Sequence, residues 1–82
     1  MHKVIITARA EKDLNSIENS IRIRILKKLK EYSSNPFDYS EKITNKMLGT
    51  YRFRIGDYRA IADIDGDEII ILRVGHRKEI YR

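Results

Sequence analysis

The chain has no cysteine, one proline and only four glycines among its 82 residues. Without cysteine it can form no disulfide, no thiolate zinc site and no thiol nucleophile. No apolar run approaches the roughly 20 residues that span a bilayer. Met1-His2-Lys3-Val4 leads straight into a short apolar stretch with no secretory signal architecture. A cytoplasmic chain without a membrane partner is expected. There is no glycine-rich phosphate loop of the G-x-x-x-x-G-K-[ST] kind, which excludes the usual NTPase chemistry. His2 and His76 lie far apart, and the acidic run Asp63–Glu68 lacks the full calcium-loop pattern and reads as a turn. Neither a metal nor a cofactor is expected.

What is present is charge and a modest core. At 41% apolar the chain is too hydrophobic to be disordered, and 82 residues suit a single domain spanning 1–82. The net charge is +5, from 17 basic and 12 acidic residues. From Lys46 onward there are eight basic and six acidic residues, and four of the six acids fall between Asp63 and Glu68. Outside that turn the second half is strongly basic, which suits an anionic partner such as nucleic acid.

The pattern divides the chain in two. Lys3–Thr7 reads as a strand, with Val4, Ile5 and Ile6 together. Thr7 suits the cap of a helix over Ala8–Leu14. A second helix is predicted from about Asn19 to Ser33, because Ile21, Ile25, Leu29 and Tyr32 form one stripe; Ile23 lies off it. Pro36 ends that helix, and residues 37–46, without a clear period, read as a loop.

From Met47 the period changes to two. Tyr51, Phe53 and Ile55 alternate with Arg52 and Arg54, as in a strand with one buried face. Gly56-Asp57 has the chemistry of a type II′ hairpin turn, which pairs Ile55 with Tyr58 and Arg54 with Arg59. A two-residue second turn at Asp65-Gly66 would carry Arg73 into the core, where an unpaired arginine is costly. A three-residue turn is therefore expected, sending Ile70, Leu72 and Val74 inward. Arg52, Arg54, Arg59, Arg73 and Arg77 would then share one face of the sheet, with helices on the other. Like charges directly opposite on paired strands repel, and arginine's fork suits phosphate oxygens. An external anion, or pairing with Asp57, Asp63 or Glu79, would balance them.

Elimination leaves metal-free chemistry on a phosphodiester. Tyr81 and His76 are the titratable groups of the C-terminal segment. A tyrosine near arginines would have a lowered pKa and could accept a proton from an RNA 2′-hydroxyl, while arginines stabilise the phosphorane. Pinning of the chain end is the structural alternative for Tyr81.

The stretch Leu48-Gly49-Thr50-Tyr51-Arg52-Phe53-Arg54-Ile55-Gly56-Asp57-Tyr58-Arg59, followed by Val74-Gly75-His76-Arg77-Lys78-Glu79-Ile80-Tyr81, resembles the RelE branch of the RelE/ParE toxin superfamily. The resemblance covers nearly the whole chain. It implies an α+β fold of β-α-α-β-β-β order, with two N-terminal helices packed on one face of a mostly antiparallel sheet, as in small microbial ribonucleases. It further implies the toxin of a type II toxin–antitoxin system. Such toxins enter the ribosomal A site, cleave mRNA by 2′-hydroxyl attack without metal, and are restrained by a RelB-type antitoxin; the free toxin is expected to be monomeric. Carried over by motif, Arg54, Arg59 and Arg77 stabilise charge, Tyr81 is general base or stacking residue, and Arg52 positions RNA. Arg73, His76 and Lys78 complete the expected RNA-binding set.

Two features depart from the family pattern. Arg52 and Arg54 stand where relatives often carry lysine, and arginine does not deprotonate in proteins. The leaving-group proton would then come from His76, Lys78, water or the ribosome. No helix follows Tyr81, so the tail is expected to be mobile until RNA or a partner orders it. Two other functions fit the same residues: a ParE-like inhibitor of DNA gyrase, and a non-catalytic nucleic-acid-binding module.

Overall fold

The computed structural model describes residues 1–44 and 49–80. Strand β1 (Lys3–Ile6) leads into helices α1 (Ala8–Asn15) and α2 (Asn19–Tyr32). A short helix α3 (Pro36–Tyr39) and strand β2 (Ser40–Lys42) precede β3 (Tyr51–Ile55), β4 (Tyr58–Asp65) and β5 (Glu68–His76). The sheet order is β1-β5-β4-β3-β2, with β1 parallel to β5 and the other pairs antiparallel. The α+β class is as expected.

Thr7 caps α1 through its Oγ1, which accepts from the Ala10 N–H at 3.3 Å and donates to the Ile71 carbonyl at 2.7 Å. One side chain thus starts the helix and ties it to the middle of the sheet. The stripe on α2 is realised: Ile25 and Leu29 are fully buried, and Ile21 and Tyr32 flank them. They pack with Ala10 and Leu14 of α1 against Phe53, Ile55, Ala60, Ala62, Ile69, Ile71 and Val74 of the sheet. Ile23 is exposed, as its place off the stripe predicts.

The segment read as a loop from 37 to 46 is structured at its start. Pro36 opens α3, where its fixed φ suits the first helical turn. Tyr39 then stacks on Tyr32 with ring centroids 4.6 Å apart, and Tyr32 in turn lies over Phe53 at 6.0 Å. This aromatic row presses α3 and β2 onto α2 and β3. It makes β2 an edge strand too short to show a period. The last part of that segment, residues 45–48, lies outside the described residues.

The first hairpin has the expected register, with Arg54 opposite Arg59 and Ile55 opposite Tyr58. Gly56 has φ +58°, while no non-glycine residue among those described has positive φ, which is the type II′ pattern. The second hairpin corrects the expectation. Asp65 pairs with Glu68, so Gly66-Asp67 is again a two-residue turn, with Gly66 at φ +59°. The parity change comes from a β-bulge instead: Ile61 pairs with Arg73 but Ala62 with Ile71, leaving Leu72 as the extra residue. Ile69 and Ile71 therefore face the core before the bulge and Val74 after it, rather than Ile70, Leu72 and Val74. The cost of burying an unpaired arginine still governs the register, since Arg73 avoids the core; the bulge achieves this, not the turn.

Candidate nucleic-acid interface

Strand alternation puts Phe53 and Ile55 under the helices and Arg52 and Arg54 on the opposite side of the sheet. Pairing across one rung adds Arg59 to that side. Arg59 is nearly buried, at 9% exposure. Its Nη1 donates to the carbonyls of Gly56 and Tyr58, each at 2.8 Å. The guanidinium is thereby clamped against the hairpin turn, which fixes its position. Arg54 remains 64% exposed.

Arg77 joins this group through the turn itself. Its backbone N–H donates to the Asp57 carbonyl at 2.8 Å, and its Nε lies 3.8 Å from the Asp57 carboxylate. The exposed Lys78 follows directly. Below this turn Ile80 is buried against Gly75, anchoring the C-terminal segment to the sheet. Tyr81, assigned as general base or stacking residue, lies outside the described residues.

Arg73 and His76 are elsewhere. The bulge sets Arg73 opposite Ile61, on the Arg52 side of the sheet, but β1 pairs with β5 only as far as Ile71, and past that edge the side chain reaches α1: Arg73 Nε donates to Asp13 Oδ2 at 2.9 Å. The same oxygen accepts from the Val74 N–H at 3.0 Å. Partial burial raises the pKa of Asp13, but the bond from Arg73, the bond from Val74 and the charges of Arg73 and Arg9 outweigh it, so the carboxyl is held below its ordinary value. His76 pairs with Tyr58, its ring edge-on at 5.4 Å, and its Nδ1 accepts from the Lys78 N–H at 3.2 Å. Both residues line a cleft of about 330 Å³ on the helix side, with Asp13, Glu18 and Glu79. The expected five-arginine face is thus Arg52, Arg54 and Arg59, with Arg77 at its end and Arg73 withdrawn.

Two residues missed in the sequence belong to this region. Glu41, on β2, is paired with Arg52 in the strand register. Its Oε2 accepts from Arg52 Nη2 at 2.7 Å, and its Oε1 lies 3.7 Å from Arg54 Nη2. The hydrogen bond and charge of Arg52, with the charges of Arg54 and Arg59, hold the Glu41 carboxyl below its ordinary pKa. Of the acids expected to balance the arginines, Asp57 does pair with Arg77, whereas Asp63 accepts from Thr50. The second missed residue is Arg24 on α2. Its guanidinium lies so close to Gly56 that a Cβ built there would stand 3.3 Å from Arg24 Nη2. Arg24, Arg59 and Arg77 thereby converge on the Gly56-Asp57 turn from three elements. Among the described residues no group of His, Asp and Glu could hold a metal, and no helix is long and apolar enough to cross a membrane.

Known proteins and structures resemble this chain over nearly its whole length. Residues 4–81 match the family model described as the ParE toxin of type II toxin–antitoxin systems, parDE. The toxin RelE3 of Methanocaldococcus jannaschii is 37% identical over 83 residues, covering 96% of this chain and 94% of its own length. The toxin RelG of Mycobacterium tuberculosis is 30% identical over 84 residues, covering 99% and 97%. Among solved structures, the toxin–antitoxin complex RelBE2 from Mycobacterium tuberculosis contains a chain that superposes with a TM-score of 0.84 at 28% identity. The match covers 93% of this chain and 98% of that one.

Proposed function

Because the chain belongs to the ParE toxin family of type II toxin–antitoxin systems, within the RelE/ParE superfamily, we propose that it is a ribosome-dependent, metal-free endoribonuclease that cuts mRNA in the A site. The observation that carries this reading is the fixed cluster around one hairpin. Arg54 and Arg59 oppose each other across a rung, and Arg77 is tied to the same turn. Like charges set opposite each other in the strand register favour an anion whose charge grows during reaction.

The step is a transesterification. The ribose 2′-oxygen attacks phosphorus while its proton passes to a base, Tyr81 by family resemblance. The bond from phosphorus to the 5′-oxygen breaks, leaving a 2′,3′-cyclic phosphate and a 5′-hydroxyl that takes up a proton. Arg59 and Arg77 stabilise the dianionic phosphorane. Arg52 holds the strand. With His76 turned to the helix side, Lys78, water or a ribosomal group supplies the leaving-group proton. A RelB-type antitoxin is the partner that restrains the toxin, and the cytoplasm, where ribosomes translate, is its place of action.

The test is an in vitro translation reaction on a defined mRNA, with primer extension to map cuts and assay of their ends. Cuts within the A-site codon, dependent on the ribosome, insensitive to EDTA and carrying 2′,3′-cyclic phosphate, are expected. Tyr81→Phe and Arg77→Ala should each lower cleavage about 10²-fold or more with much smaller effects on ribosome binding. The match to a model named for ParE favours gyrase inhibition as the second reading. Undisturbed translation together with loss of gyrase supercoiling activity would establish that one instead.

A further inference from the structure

Glu41 is an acid held on a face built of bases. The β2–β3 register sets it directly opposite Arg52, so the backbone determines where the carboxylate stands. Its two oxygens address two guanidinium groups, Arg52 at 2.7 Å and Arg54 at 3.7 Å. Two oxygens of an RNA phosphate would address the same pair in the same way, since carboxylate and phosphate share this mode of arginine recognition. The Glu41 side chain is 55% exposed and that of Arg52 27%, so water and ligands reach the carboxylate while the guanidinium stays partly covered.

We propose that Glu41 is a specificity-determining residue of the RNA face: its carboxylate occupies the place of a backbone phosphate on Arg52 and Arg54 and must be displaced before a strand engages them. The inference rests on reading that face as RNA-binding. An exposed ion pair is easily broken, so Glu41 acts as a filter. Free strands, held by charge alone, compete poorly with it. A strand positioned by additional contacts displaces it.

Binding to a short single-stranded 2′-O-methyl RNA, which cannot be cleaved, tests this without relying on activity. Glu41→Gln should tighten binding about three- to fivefold at low salt, the range set by one exposed ion pair. It should also steepen the dependence of log affinity on log salt by up to about 0.7, because the arginines no longer arrive partly neutralised. Glu41→Ala should act in the same direction. Glu11→Gln makes the same change in net charge on α1, toward the far edge of the sheet, and serves as control. Equal effects of Glu41→Gln and Glu11→Gln, or no effect of either, would overturn the inference. Failure of both the parent and the Glu41 variants to bind this RNA even at low salt would overturn both it and the RNA reading. Tighter binding by the Glu41 variants without cleavage on ribosomes would leave the inference standing and remove the nuclease reading alone.

Discussion

Arg54 and Arg59 face each other across one rung, yet their surroundings assign them different work. Arg59 is clamped by two carbonyls and nearly buried, so it supports the turn as well as the charge of the site. Arg54 is exposed and makes a surface ion pair with Glu41 at 3.7 Å, which contributes little to stability. Arg54→Ala should therefore leave thermal stability within about 0.5 kcal/mol of the parent while lowering cleavage at least tenfold. Arg59→Ala should lower both, costing about 1–3 kcal/mol because two carbonyls lose a charged donor. For a domain of this size that is a fall in melting midpoint of about 4 °C or more. Arg59→Lys should recover little, since an ammonium cannot reproduce the planar fork that reaches two oxygens. Unchanged cleavage by Arg54→Ala would exclude the exposed arginine from the reaction.

At the scale of elements, the bulge at Leu72 is the decisive local feature, because it moves Arg73 off the core face, and the end of β1 at Ile6 leaves its guanidinium room to reach Asp13 of α1. Asp13 is depressed in the folded state, so its contribution to stability is complete above the unfolded value near 4 and is lost as pH falls through the lower folded value. Asp13→Asn should destabilise the protein by about 1–2 kcal/mol at neutral pH. The gap between the two proteins should shrink below about pH 4, as read from urea unfolding at each pH. A gap that does not change with pH would mean the charge of Asp13 plays no part. The sequence carried the first hairpin and the α2 stripe because both depend on near neighbours: a period, a Gly-Asp turn, a four-residue spacing. For the same reason, alternation and the Gly-Asp turn suffice to group Arg52, Arg54 and Arg59 on one face. The second hairpin was ambiguous because a three-residue turn and a bulge produce the same change of parity, and Gly66 serves either. Pro36–Lys42 was illegible because stacking of Tyr39 on Tyr32, not periodicity, holds it in place. Glu41 and Arg24 follow from that kind of tertiary contact, and no spacing announces them.

At the scale of the whole molecule, two surfaces among the described residues carry clusters of basic side chains. One is the sheet face with Arg52, Arg54 and Arg59; the other is the outer side of α2, with Lys27 and Lys30 exposed. Either could attract RNA, and net charge alone does not choose between them. Salt dependence does, because each phosphate neutralised contributes about 0.7 to the slope of log affinity against log salt for a single strand. Contacts by Arg52, Arg54, Arg59 and Arg77 correspond to a slope of about −2.8, a loss of roughly 50-fold between 50 and 200 mM salt. Arg54→Ala should then reduce the slope by about 0.7, whereas the double change Lys27→Gln and Lys30→Gln should leave it as it was. The reverse pattern would assign the strand to α2. In that event the sheet arginines would be left for the antitoxin, and the cluster at the Gly56-Asp57 turn would read as a surface for an acidic partner rather than a site for phosphodiester chemistry.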